Sequence, residues 1–263
     1  MNLVRLYVML IRASIRSRMQ YRFNFWLSTL LATLVNVSEF LMVAVVLVRF
    51  DGIQGWSLYE VGYLYAVISL SKVIYRSFAN DVHNLDRYLV NGELDQLLTR
   101  PLPLLLALMS QNFRIMLGET IQGGGILAVC LVMLLQQGQV GWIAIPLTLW
   151  IILTGAMILF AIGLTTSTFG FWLTKVEVLQ TLTEDAARSA AQYPLTLYPG
   201  WLRSIFFTFI PVAFANYVPS LYVLRHEYGP WLLVATTAVA LLCLAGVLAF
   251  WRVGASRYQS TGS

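Results

Sequence analysis

Residues 231–251 read WLLVATTAVALLCLAGVLAFW, an apolar run without one charged side chain, followed by Arg252 and Arg257. A helix rises about 1.5 Å per residue and the hydrocarbon core of a bilayer is about 30 Å thick, so roughly 20 such residues span it. The stretch therefore reads as a membrane-crossing helix, and comparably long apolar runs recur upstream at Trp142–Phe169, without a charge, and at Phe25–Val48 and Phe113–Leu135, with one and two charges. Of the 263 residues, 59% are hydrophobic and only 11% charged. Soluble domains carry about 25% charged residues, so this chain lacks the polar surface to coat a water-facing globule. The fold class is an all-α membrane protein.

Working outward, Leu58–Phe78 is a further span, more polar towards its end through Lys72 and Arg76. The loop RFDGIQGWS before it supplies turn glycines and an interfacial Trp56, and QQGQVG turns the chain between the third and fourth spans. Residues 171–193 have helical composition but carry Lys175, Glu177, Glu184, Asp185 and Arg188. After YPLTLYPG comes Trp201–Tyr217, apolar but interrupted by Pro211. One of these two segments is the fifth span. Six transmembrane helices result, in a single membrane domain over 1–263.

Residues 1–22 hold Arg5, Arg12, Arg16, Arg18 and Arg22, with Leu3, Leu6, Tyr7 and Leu10 at helical spacing. They read as an amphipathic interfacial helix or as a basic flank obeying the positive-inside rule. The apolar run that follows is too long for a cleavable leader. Basic residues concentrate in this flank, in Asn80–Pro103, at Lys175 and at the C-terminus, which puts both termini in the cytoplasm. The net charge of +5 has its cause in these flanks, and no soluble basic domain exists to bind nucleic acid. Cys130 and Cys243 fall inside apolar runs and the two histidines, His83 and His226, lie far apart, so neither a disulfide framework nor a metal centre is expected. No Walker A, G-x-S-x-G or H-E-x-x-H motif occurs. Gly123–Gly125 lies inside an apolar helix and reads as close helix packing, not as a phosphate loop.

The polar loop contains VNGELDQLLTRPLPLL at 90–105. Asn91–Gly92 is a turn, Glu93 and Asp95 sit in the first turn of a short helix where its dipole favours acids, and Pro101 stops it. Leu94, Leu97 and Leu98 fall on one face, an apolar stripe that needs a partner. This segment resembles the coupling segment of type-2 ABC (ATP-binding cassette) exporter permeases, matched by Gly92, Leu94, Asp95, Leu97, Leu98, Arg100 and Pro101. A second resemblance lies in YPLTLYPGWLRSIFFTFIPVAFANYVPS, matched by Pro194, Pro199, Trp201, Leu202, Arg203, Pro211 and Pro219.

The resemblance implies a small six-span branch without a fused ATPase. It makes residues 171–193 the fifth span and 194–219 an extracytoplasmic re-entrant or surface region. It also implies a transport subunit of a bacterial plasma membrane, not an enzyme. ATP and Mg would be bound by a separate ATPase, present in two copies. A second permease chain, identical or a sister, would complete the pathway, and segment 91–101, Glu93 included, would dock on the ATPase.

Charges inside spans cost about 2.5–3.5 kcal/mol each and demand a partner or water. With straight helices, Glu39 lies roughly 21 Å and Arg188 roughly 24 Å above the inner face, while Lys72 and Glu119 both lie roughly 10 Å above it. Either pair is close enough in height to meet. Glu184 and Asp185 are within one helical turn of Arg188. These six residues read as a hydrophilic strip on a translocation pathway or as ion pairs that lock helices together.

Overall fold

The computed structural model describes residues 22–49, 52, 54–173, 176–208 and 210–258, and isolated positions 9, 11, 12 and 16. The expected interfacial helix at 1–22 and the expectation for Lys175 lie outside the described residues. Every regular element among those described is helical.

The helices are α1 (Arg22–Arg49), α2 (Leu58–Ala79), α3 (Leu85–Val90), α4 (Glu93–Leu98), α5 (Leu104–Met109), α6 (Leu117–Gln136) and α7 (Ala144–Thr168). They continue with α8 (Glu177–Gln192), α9 (Gly200–Thr208), α10 (Val212–Ala215), α11 (Tyr217–Arg225) and α12 (Trp231–Ser256). Four segments are long and apolar enough to cross a membrane: Phe23–Arg49, Leu117–Gln136, Ala144–Phe171 and Trp231–Ser256.

The helix α2 is the axis of the bundle. Its start is fixed by a capping box, in which Glu60 N–H donates to Ser57 Oγ at 3.3 Å and Ser57 N–H donates to Glu60 Oε2 at 2.8 Å. Residues Tyr63 to Ile68 are buried consecutively, so the middle of this helix is covered on every face, chiefly by α6 and α7. Of its charged residues, Glu60 is buried and Lys72 and Arg76 are partly buried. By contrast α1 is peripheral and leaves most of its apolar side chains exposed.

Close packing depends on individual glycines. A Cβ at Gly155 of α7 would stand 2.5 Å from the Ala215 carbonyl oxygen and 2.8 Å from Ser71 Oγ, so only glycine lets three segments meet there. In Gly123–Gly125 the expected close packing holds at Gly123 alone, where a Cβ would meet Leu70 at 3.2 Å. Gly124 and Gly125 face open space.

Between α8 and α12 the chain makes a broken hairpin. Pro194 and Leu197 lie against Leu47 and Val61, α9 runs inward, and Ile210 and Pro211 reach Ile158 and Thr165 of α7. The chain then returns through α10 and α11 to Arg225, whose Nε is 3.1 Å from Glu60. Hence Trp201–Tyr217 is not one continuous helix, and the nine residues of α9 are too short to cross a bilayer. The break is shielded by protein: Val212, Ala213, Ala215 and Asn216 are buried. Asn216 Nδ2 donates to the carbonyls of Leu64 at 2.8 Å and Ala191 at 2.7 Å, tying the break to α2 and α8. Backbone irregularity at this depth is stable only with such cover.

Candidate functional site

The segment from Asn80 to Met109 folds into a single 3-10 turn at Asn80–Val82 and the three short helices α3, α4 and α5, at the end of the bundle where α2 ends. Gly92 adopts φ +68° at the start of α4, a left-handed conformation that a side chain strains, and so fixes the sharp turn between α3 and α4. Asp81, 2% exposed, organises the region. Its Oδ2 accepts from Tyr88 Oη and from Asn112 Nδ2, both at 2.6 Å, joining the end of α2 to α3 and to the approach of α6. Burial and this hydrogen bond to a carboxylate push the Tyr88 phenol well above its ordinary range.

The amphipathic stripe of α4 is divided. Leu94 and Leu97 are buried at 0% and 3%, inside the protein's own core, and Leu98 is 52% exposed. The expectation that all three leucines await a partner is corrected: two of them anchor the segment to this chain. The outward surface consists of Leu98, Thr99 and Pro101, with Val90, 68% exposed, beside them. Arg87 pairs with Glu93 at 3.4 Å, and Asn91 Nδ2 donates to Glu93 at 3.2 Å. Asp95 Oδ1 accepts a 3.0 Å hydrogen bond from Tyr258, just beyond α12. Burial, and then this carboxylate, raise the Tyr258 phenol above its usual value. Gly92 and Arg100, both partly buried, and exposed Pro101 flank α4.

The charges expected inside spans sort into two groups. On the outside of the bundle, Arg188 Nη1 of α8 lies 3.6 Å from Glu39 Oε2 of α1, with side chains 24% and 43% exposed. Exposed residues Val35, Met42 and Val46 flank Glu39 at helical spacing, and Val178, Leu182 and Asp185 form the corresponding face of α8.

Deeper in, Glu184 is the centre of a network the sequence did not reveal. Its Oε2 is 3.2 Å from Arg76, and its Oε1 accepts from Tyr75 Oη at 2.5 Å. His83 Nδ1 approaches Oε1 to 2.6 Å, although off the line of a hydrogen bond. Because a guanidinium can only donate, the 3.2 Å contact of Arg76 Nη2 with His83 Nε2 places the ring proton on Nδ1, facing the carboxylate. The network joins α2, the short helix Asn80–Val82 region and α8.

Lys72 and Glu119 do not form an ion pair within 4.0 Å. Glu119 faces α1 instead, lining a cavity of about 370 Å³ with Thr29 and Arg114, and its Oε2 is buried without a hydrogen-bond partner among the described residues. Lys72 turns to the small cavity shared by Glu184, Asp185 and Arg188. The sequence carried one usable signal for the missed network: His83 follows Arg76 by seven residues, two helical turns. The S-x-x-E pattern at Ser57–Glu60 was likewise a readable capping signal.

No group of three or more His, Cys, Asp or Glu side chains able to hold a metal occurs among the described residues. The comparisons with known proteins fit a carrier of this kind. A family model described as "ABC-2 family transporter protein" matches residues 33–262. No curated protein sequence matches the chain closely enough to count as a relative.

Proposed function

Because this chain belongs to the ABC-2 transporter family, and so is a multi-pass membrane component of a transporter, we propose that it forms half of an export pathway driven by a separate ATPase. The observation that carries this reading is the Glu39–Arg188 pair, exposed on one side at mid-height of an apolar helix. An ion pair left against hydrocarbon is expensive, so this face belongs against a second permease chain or a wet pathway. Val35, Met42 and Val46 on α1 and Leu182 on α8 are the apolar surround of that seam.

In this reading α2 and α8 are the second and fifth of six spans, and the α9–α11 hairpin enters from the extracytoplasmic side. Both termini and the 80–109 segment are cytoplasmic, in a bacterial plasma membrane. The ATPase carries ATP and Mg. Its cleft takes the outward edge of the coupling segment, with Leu98, Pro101 and Val90 as the apolar contacts and Glu93 and Arg100 at the rim. ATP-driven closure of two ATPase subunits then moves two permeases between inward- and outward-open states as rigid bodies. Leu94, Leu97 and the Asp81 cluster transmit that push, since they bind the segment to the α2 end.

The test is a cysteine at Met42 in a chain with Cys130 and Cys243 replaced, reconstituted with its ATPase in liposomes. Oxidation should yield a product containing two permease chains, and transport should require the ATPase. Functional complexes with a single permease chain, or transport without the ATPase, would overturn the proposal.

A further inference from the structure

At the end of the bundle opposite the coupling segment lies an open cavity of about 570 Å³, bounded by the start of α2, by α9 and α11 and by the start of α12. Its floor is apolar, formed by Phe207, Leu221 and Leu232. Trp56 and Tyr217 form an aromatic wall, their ring centroids 5.8 Å apart. Trp231, 58% exposed, stands at the mouth, and Trp201, 67% exposed, lies on neighbouring α9. Tryptophans exposed in this way at helix ends sit at headgroup level in a bilayer.

Three charged side chains line the cavity: Arg203, Arg225 and Glu227. Arg225 is already neutralised. Its Nε donates to Glu60 at 3.1 Å, its Nη2 donates to the Gly55 carbonyl at 2.8 Å, and its guanidinium stacks 3.8 Å above the Trp56 ring. Arg203 donates only to the carbonyls of Thr196 and Tyr198, each at 3.3 Å, and pairs with no carboxylate among the described residues. Glu227 pairs with no cation there either. It is held out by a turn in which His226, Tyr228 and Gly229 have φ of +53°, +62° and +81°. His226 is the left-handed C-cap of α11, its N–H bonded to the Leu221 and Tyr222 carbonyls, and the chain leaves the helix there with Glu227 exposed.

The cavity thus offers one uncompensated guanidinium and one uncompensated carboxylate above an apolar floor. We propose that it binds the headgroup of a zwitterionic phospholipid, with the phosphate on Arg203, the ammonium on Glu227 and an acyl chain along Phe207 and Leu232. A guanidinium matches phosphate oxygens with paired donors, and a carboxylate beside aromatic rings suits an ammonium. An anionic headgroup would meet Glu227 without a balancing charge.

The experiment is native mass spectrometry of the intact protein in detergent, titrated with phosphatidylethanolamine and with phosphatidylglycerol. The wild type should retain phosphatidylethanolamine preferentially. Arg203→Gln should lower that retention roughly tenfold, the loss expected for one charge-assisted contact. Glu227→Gln, a change at an exposed residue without an ion pair, should shift the preference towards phosphatidylglycerol. Equal retention of the two lipids by the wild type, or an unchanged preference in Glu227→Gln, would overturn the proposal. Soluble glycerophosphoethanolamine should not displace the lipid at comparable concentration. Displacement would assign the cavity to a free zwitterion and remove the lipid as its ligand.

Discussion

Tyr258 donates its phenolic hydrogen to Asp95 at 3.0 Å, fastening the segment after α12 to the short helix α4. Phe171 packs edge-on against Tyr258 and Trp251, so the latch rests on the inner ends of α7 and α12. In the proposed coupling, a push on α4 would reach two long helices at once.

Removing the hydroxyl tests this path. Tyr258→Phe should cost about 0.5–1.5 kcal/mol of stability, the worth of one net hydrogen bond. Transport per ATP hydrolysed should fall while the ATPase remains bound. Thermal melting together with coupled transport and hydrolysis assays checks both. Unchanged stoichiometry would mean the latch carries no load.

Burial separates the leucines of α4 sharply. Leu94→Asp should abolish folding, because a charge would enter a fully buried site. Leu98→Asp, at a position 52% exposed, should leave melting within about 0.5 kcal/mol yet weaken ATPase binding. Co-purification of the ATPase with each variant is the measurement, and equal behaviour of the two would contradict the division of the stripe.

Glu184 and Glu39 should respond differently to the same change. Glu184→Gln leaves Arg76 and His83 beside a neutral amide and should lower the melting temperature clearly, because its contacts are less exposed than those of Glu39. Glu39→Gln at the exposed pair should spare the melting temperature and reduce transport. In a double-mutant cycle, Glu39→Gln with Arg188→Leu should be non-additive by about 0.5 kcal/mol or more. Strict additivity would argue against the contact.

Gly155 has no room for a methyl group, whereas Gly125 has open space. Gly155→Ala should destabilise the protein by about 1–3 kcal/mol through forced displacement of Ala215 or Ser71. Gly125→Ala should be neutral or slightly stabilising in its helix. Parallel melts in detergent decide it.

The long apolar helices were legible because crossing a bilayer is a demand on composition, which residues 231–251 meet by inspection. The polarity of α2 was visible as well, but its central position was not, since Lys72 and Arg76 say only that cover is needed. Depth arithmetic put Glu39 and Arg188 at similar heights, and the structure holds them 3.6 Å apart. The same arithmetic could not orient Glu119, because height says nothing about which way a helix is rotated. The stripe Leu94–Leu97–Leu98 was readable, whereas its occupant was not: periodicity shows that a face needs burial without saying whether the chain itself supplies it. The hairpin break at Asn216 depends on carbonyls of Leu64 and Ala191, one of them 152 positions away, and no local pattern records such a partnership.

The central position of α2 bears on how the chain is made. Carrying Glu60, Lys72 and Arg76, α2 is not among the four segments apolar enough to enter lipid unaided. Lys72, well inside the helix, would cost about 2.5–3.5 kcal/mol on a lone span, whereas Glu60 and Arg76 lie in its first and last turns. In the six-span reading proposed above, α2 enters the bilayer together with α6 and α7, the helices that cover it. A nascent chain cut between Ala79 and Leu117 should therefore leave α2 outside the bilayer, and one extended past Thr168 should draw it in.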